Sequence, residues 1–503
     1  MRCASRVIDA GLTPASLACS RMERSATSRG LSSTHCAAAR SWRGIASKAS
    51  SSRERKAGSS MKRNLRLRAS CCNEYFNFLK MSVVFHPNQS EAGRNTRMKR
   101  TLECWLGAAA LTLAALPFAA APAQAEEPIA LGWVGPLSPP GNYSGGQEMQ
   151  WAVQLGVDEV NKAGGVLGRQ IDVTYEDTKG QPADGSAAAI RLITKDNVAA
   201  IFGEFHSSVA LAEIEEAHKY GVAWVGTDVW ADAITAKQYP EVYRLAPANS
   251  LVYVKAADWT VEQGFKNVAI IAENTDFGQG GAKVIADELE VKKVPHTLVT
   301  IDLAQQDFTP ALLRLMSQDP KPDAIQMVVA GQAQYQLVKQ ACQLGFAPTA
   351  ATKLIGSSGL LQKEVWEVAG ECAKNLLIVN VAQPTSQWND KTKAFVKAFT
   401  ERFNRAPTGV AMEAYDTFNV VVEAIKKAGS ADRGAIVKAL EGIKYEGTNA
   451  TYNFPTTKAP DWAYHQFVDV PFTIIQYTAM NQAPGDAAVV YPKKWATSDK
   501  ILP

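Results

Sequence analysis

From Ile129 onward, short apolar runs alternate with stretches whose apolar residues recur every three or four positions. "IALGWVG" reads as a buried strand. After it, Met149, Ala152, Val153, Gly156, Val157 and Val160 stand at i, i+3, i+4, i+7, i+8 and i+11, on one face of a helix. "GGVLG" turns the chain into "QIDVTYE", where Ile171, Val173 and Tyr175 alternate as strand residues do. A helix after Pro182 leads to "NVAAIFG", and another from Ser208 leads to "VAWVG". A second series opens at "NVAIIAE" and runs through "HTLVTID", "AIQMVVAG", "KLIGSS" and "NLLIVNV". Beyond about Val381 come long amphipathic helices such as "DKTKAFVKAFTERF", then strand-like segments such as "FTIIQYT". Strands alternating with helices imply parallel sheets covered on both faces, and two such series imply two lobes of α/β class.

In open α/β sheets, ligands bind beyond the carboxyl ends of the strands. The loops there read "GPLSPPGNY", "GEFHSS", "GTDVW", "ENTDFG", "AGQAQ" and "GSSG". They are rich in glycine, hydroxyls, amides and aromatics. Tyr143, Trp230 and Phe277 are candidate aromatic walls of a pocket, with Trp230 expected to face it; Phe205 is expected to pack at the lobe edge.

Charge divides the chain. Residues 1–97 carry 18 Lys+Arg against 5 Asp+Glu, and 98–125 add two and one. Of the chain's 53 and 49, this leaves 33 basic and 43 acidic residues for 126–503, a net −10. The join has the layout of a bacterial secretory signal peptide: Met98-Lys99-Arg100, an uncharged run from Leu106 to Ala121, then Ala123-Gln124-Ala125. Pro117 and Pro122 interrupt the run, whereas a membrane span needs about 20 apolar residues. The mature protein is therefore expected to start at Glu126 and to be periplasmic. A signal peptide acts from the N-terminus, so Met98 is read as the true start, with 1–97 a non-native or disordered extension. The alternative is a targeting or nucleic-acid-binding tail, but its Arg clusters lack interleaved aromatics or any motif. Two cysteines, Cys342 and Cys372, remain after Glu126. Export permits their pairing and spacing does not decide it.

Motifs of chemistry are sparse. The chain has no phosphate loop and no Gly-x-Ser-x-Gly elbow, and Lys283 replaces the third glycine of a dinucleotide fingerprint in "FGQGGAK". His206, Ser207 and Asp228 invite comparison with a hydrolytic triad, but neighbours on one loop rarely aim a histidine at the adjacent hydroxyl. The histidines at 206, 218, 296 and 465 show no metal-ligand spacing. These features point to binding rather than catalysis, with no cofactor or metal and no nucleic acid.

The stretch "GPLSPPGNYSGGQEMQWAVQLGVDEVNKAGGVLGRQIDVTYEDTKGQPADGSAAAIRLI" resembles the opening of a periplasmic solute-binding protein of an ABC transporter, of the leucine/isoleucine/valine type. "NTDFGQGGA" resembles the family's opening of the second lobe and "AGECAKNLL" a later segment, so the likeness covers about 128–480. It implies a periplasmic binding protein type I fold: two doubly wound, Rossmann-like lobes joined by three crossover segments. Lobe 1 would comprise 126–247 and 381–465, and lobe 2 248–380 and 466–503. The implied function is a monomeric receptor that encloses a small-molecule ligand and presents it to the permease subunits of an importer. A periplasmic sensor of the same fold, coupled to a signalling partner, is the alternative. The resemblance further implies that Ser207, with Ser208 beside it, donates to a ligand carboxylate at a helix N-terminus. Helix capping is the competing role for each serine. Asp228-Val229-Trp230 stands where relatives carry an Ala/Ser-x-Thr clamp, and Phe277 replaces a tyrosine. Ser358 occupies the place of the ammonium-binding glutamate, and Gln332 lies near another tyrosine position. Asp228 is then the candidate for the missing negative charge, or else a turn residue. The expected solute is a small amphipathic molecule: an amino acid, an amide, or an aromatic or organic acid.

Overall fold

The computed structural model describes residues 126–502. The basic extension 1–97 and the signal segment 98–125 lie outside the described residues.

The chain opens with five strands: β1 (Ile129–Gly135), β2 (Ile171–Asp177), β3 (Ala200–Gly203), β4 (Ala223–Gly226) and β5 (Val242–Arg244). Helices α1 (Tyr143–Lys162), α2 (Pro182–Thr194), α3 (Ser207–Tyr220) and the short α4 (Ala233–Ala236) alternate with them. All neighbouring strands are parallel, in the order β2-β1-β3-β4-β5. The order reverses direction between β1 and β3, which opens a crevice at their carboxyl ends. Met149, Ala152 and Val153 on α1 are fully buried, as their periodicity predicts. A buried side chain the size of Met or Val contributes about 1.5–3 kcal/mol. Gly156 on the same face lets Phe418 approach: a Cβ there would lie 2.7 Å from its ring.

The second series runs α5 (Asn249–Glu262), β6 (Val268–Glu273), α6 (Asp276–Val291), β7 (His296–Ile301), α7 (Thr309–Met316), β8 (Ala324–Val328), α8 (Gly331–Gln343), β9 (Lys353–Gly356), α9 (Glu364–Ala369) and β10 (Leu377–Asn380). Three helices, α10 (Asp390–Phe403), α11 (Gly409–Ala428) and α12 (Arg433–Glu441), then return to the first sheet, where α11 packs on α1 and β3. A hairpin of β11 (Tyr445–Glu446) and β12 (Thr451–Tyr452) follows. Finally β13 (Thr473–Gln476) and β14 (Ala488–Tyr491) join the second sheet, giving the order β14-β13-β10-β9-β8-β6-β7.

The second sheet is not wholly parallel, contrary to the expectation from alternation. β13 runs antiparallel to β10, and β14 antiparallel to β13. The crossovers explain this. β10 leaves for the first lobe at Asn380, and β13 re-enters opposite it at Thr473, so the returning strand must run the other way.

The chain passes between the lobes three times: after Arg244, after Asn380 and before Thr473. Side chains bind these crossings together. The Arg244 backbone bridges Gln466, and its guanidinium, fully buried, donates to the carbonyls of Val229 (3.2 Å) and Ala231 (2.6 Å). Asn380 Nδ2 donates to Thr473 Oγ1 at 3.0 Å. Cys342 and Cys372 form a disulfide, which settles the pairing left open by spacing.

Candidate functional site

Gly203 ends β3 at φ +124°, and a Cβ there would lie 2.2 Å from the carbonyl oxygen of Val134. Glu204 follows at φ +64°, in the left-handed region that few non-glycine residues occupy. Its buried carboxylate stabilises the turn, Oε1 accepting from the backbone N–H of Phe205 (2.9 Å) and His206 (2.8 Å). This turn delivers "HSS" to the start of α3.

Neither serine caps that helix. The cap position is His206, whose side chain makes no capping bond. The helix also starts at Ser207, one residue earlier than its pattern suggests. Ser207 Oγ instead accepts from the backbone N–H of Trp230 (3.0 Å) and Ala231 (3.1 Å), tying α3 to the loop after β4. Ser208 Oγ accepts from Asp276 N of the second lobe at 3.1 Å. Each hydroxyl keeps its own proton to donate. The lobes are closed on one another here, and again where Arg405 meets Glu364 of α9 at 3.2 Å.

In the loop after β4, Asp228 Oδ1 accepts the indole N–H of Trp230 at 2.5 Å. The Trp230 ring meets Phe277 of α6 edge-on, centroids 6.0 Å apart and planes at 90°. Thr275 caps α6, accepting from Gly278 N at 3.2 Å, and donates to Glu273 Oε1 at 2.6 Å. Glu273 Oε2 accepts from Ala330 N at 2.7 Å, so the last residue of β6 joins two second-lobe loops.

These loops enclose a small cavity of about 50 Å³. Of the residues singled out from sequence, Ser207, Ser208, Asp228, Trp230, Phe277 and Ser358 line it. Tyr143 and Gln332 do not. Tyr143 is exposed at the start of α1, its hydroxyl accepting from Gln147 Nε2 at 2.7 Å, and Gln332 points to solvent from the first turn of α8. Phe205, assigned to packing, is buried but also walls the cavity, because the Glu204 turn swings it inward. Sequence reasoning missed His206, Glu273 and Thr275 as lining residues. The strand-end rule marks their loops but does not say which side chain turns inward.

The cavity's electrostatics are one-sided. Burial pushes the Asp228 carboxyl up to about 6, against the Trp230 hydrogen bond that lowers it and with the charge of Glu148 adding to the rise. Burial likewise pushes Glu273 up to about 7. His206 is pushed down to about 4 by burial. Its Nε2 accepts from Asn142 N at 2.9 Å, so the neutral ring carries its proton on Nδ1. Ser207 and His206 are thus each bonded to backbone N–H groups elsewhere, and the three residues of the notional triad form no hydrogen-bonded relay among the described residues.

Two doubly wound lobes closed on a polar and aromatic cavity at their strand ends have the architecture of a protein that encloses a solute. The chain belongs to the periplasmic binding protein family, whose model matches residues 128–474. One relative, the leucine-, isoleucine-, valine-, threonine- and alanine-binding protein of Pseudomonas aeruginosa, is 23% identical over 337 residues, 66% of this chain and 87% of that protein. The branched-chain amino acid transporter substrate binding protein of Streptococcus pneumoniae, solved in complex with isoleucine, is 25% identical with a TM-score of 0.63. That match covers 73% of this chain and 100% of the other. A solute binding protein of an ABC transporter from Rhodopseudomonas palustris, in complex with 3,4-dihydroxybenzoic acid, shares the fold at 23% identity and a TM-score of 0.60, covering 69% and 91%.

Proposed function

We propose that the chain is an extracytoplasmic receptor that captures a small amphipathic solute and delivers it to the permease subunits of an ABC importer of the branched-chain amino acid class. The observation that carries this reading is the cavity itself: residues of both lobes line it, so a solute held there favours closure by contacts that the open form lacks. Relatives named for branched-chain amino acids and for an ABC transporter point the same way.

In this reading the free hydroxyl protons of Ser207 and Ser208, at the N-terminus of α3, receive the solute's carboxylate or carbonyl. Trp230 and Phe277 cover its apolar body, and Ser358 adds a neutral polar contact. The protein acts as a periplasmic monomer after cleavage behind Ala125, which N-terminal sequencing of the exported protein reads directly.

A thermal-shift screen of residues 126–503 against amino acids, amides and aromatic acids tests the proposal. A true ligand at 100 times its dissociation constant adds about 2.7 kcal/mol of stability. A screen in which no small polar or amphipathic compound raises the melting temperature contradicts the receptor reading.

A further inference from the structure

The turn that presents "HSS" to the cavity is built on Glu204, and Glu204 must itself be held. It sits at φ +64°, a conformation that persists in a non-glycine residue only where its surroundings fix it. Its backbone ties three strand ends together. The N–H donates to the Val134 carbonyl of β1 at 2.7 Å, and the carbonyl accepts from Asp228 N, just beyond β4, at 3.1 Å. Side-chain Oε1 accepts from Phe205 N and His206 N. Oε2 is buried without a hydrogen-bond partner among the described residues.

Glu213 of α3 is the counterpart. It is fully buried, and its Oε2 accepts the indole N–H of Trp224 on β4 at 3.0 Å. Its Oε1, like Oε2 of Glu204, is buried without a partner among the described residues. Gly185 of α2 leaves room for that oxygen, since a Cβ there would lie 3.0 Å from it. The two carboxyls are within hydrogen-bonding reach of each other. Both cannot ionise side by side in the interior, whereas one proton between them gives each orphaned oxygen a partner. Burial pushes the Glu213 carboxyl well up, and the charge of Glu204 adds to the rise. Burial raises Glu204 too, but the bonds from His206 and Phe205 N–H oppose it, so the proton belongs on Glu213.

We propose that Glu213, which does not line the cavity, is a positioning residue of the solute site: as a neutral acid it donates its proton to Glu204 and so locks the turn that aims Phe205, His206 and Ser207 inward. Without that proton a charged oxygen of Glu204 lies buried and unpaired, which the turn relieves by releasing Phe205 N and His206 N and moving towards water. Ser207 Oγ then loses its fixed place beneath the N–H groups of Trp230 and Ala231. Asp228 loosens with it, because its own N–H is bonded to the Glu204 carbonyl. The lock does not depend on the identity of the solute; only its effect on affinity rests on the receptor reading above.

Two substitutions separate this role from the filling of space. In Glu213→Gln the amide N–H replaces the acid proton as donor to Glu204, and the amide oxygen still accepts the Trp224 indole N–H. Glu213→Met keeps an unbranched side chain of similar length but brings no donor. A residue that only packs tolerates methionine at least as well as glutamine in the interior.

Hydrogen–deuterium exchange on the exported protein reads the lock without a ligand. The amides of Phe205 and His206 should exchange at the wild-type rate in Glu213→Gln and tenfold or more faster in Glu213→Met, with β6 and β8 of the second lobe unchanged in both. The infrared difference between wild type and Glu213→Gln at neutral pH should show the C=O stretch of one protonated carboxyl lost in the variant. For affinity, whichever of L-leucine, benzoate and benzamide raises the melting temperature is titrated by calorimetry. Glu213→Gln should bind it within twofold of wild type, and Glu213→Met tenfold or more weaker. Wild-type exchange in Glu213→Met, equal acceleration in both variants, no carboxyl band in the difference, or unchanged affinity in Glu213→Met each overturns the proposal and leaves the receptor reading intact. Should Glu213→Met not fold, the absence of the band or fast exchange in Glu213→Gln overturns it. If none of the three compounds shifts the melting temperature, that counts against the receptor reading, while exchange and infrared still decide the role of Glu213.

Discussion

Ser207 shows how one side chain serves two parts of the molecule. Its oxygen is the acceptor for two backbone N–H groups of the Trp230 loop, which leaves its own proton to donate. Ser207→Ala leaves both N–H groups buried without that acceptor, at a cost of about 1–3 kcal/mol in stability. If Ser207 also donates to the solute, affinity falls roughly five- to 150-fold as well. Chemical denaturation and calorimetry on the same variant separate the two: lost stability with unchanged affinity makes Ser207 a tie between loops only. "HSS" ahead of a helical pattern suggests a cap, and the structure answers with partners 23 and 68 residues away. Nothing local encodes those partners. Glu273 escaped notice for a related reason, because an acid at the end of an apolar strand reads as its solvated terminus.

Among the elements, the longest strands are the most legible. β1, β2, β6 and β7 fall where runs or alternation place them. β5 and β14, three and four residues long, stand out by neither signal, since too few residues carry a period. The disulfide joins the last turn of α8 to the 3-10 turn Gly370–Ala373, closing a separation of 30 residues within the second lobe. Constraining that loop in the unfolded chain is worth about 2–4 kcal/mol. Cys342→Ser with Cys372→Ser should therefore lower the denaturation midpoint by that amount. Neither cysteine lines the cavity, so affinity for the best ligand should stay within about twofold. A variant as stable as the wild type would show that the bond adds nothing to the lobe.

For the protein as a whole, the buried acids have a common consequence. Burial raises the carboxyls of Glu148, Glu204, Glu213, Asp228, Glu273, Glu413 and Asp416. A carboxyl whose folded pKa exceeds its unfolded value binds more protons in the folded state, so it favours folding as pH falls. With Asp228 and Asp416 near 6 and Glu273 near 7, the ligand-free protein should melt higher at pH 5.5 than at pH 8. Asp177 and Glu215, held low by their hydrogen bonds, lose stabilising charge only at more acid pH. Glu273→Gln should flatten the profile between about pH 4.5 and 7, the interval between its unfolded and folded values. A melting temperature that rises steadily from pH 5.5 to 8 would contradict this account of the interior.

The linear chain already determined two α/β series, the loops at their strand ends, and a polar, aromatic site without catalytic motifs. These depend on periodicity and composition, which report whether each residue faces a core or water. Tertiary packing decided the rest. It set the antiparallel return of β13 and the inward turn of Phe205, His206 and Glu273. It also closed the lobes through Ser208 and Asp276, 68 residues apart. The physical reason is that a loop side chain is oriented by the hydrogen bonds it finds, and here those partners lie on distant segments that meet only when both sheets have formed.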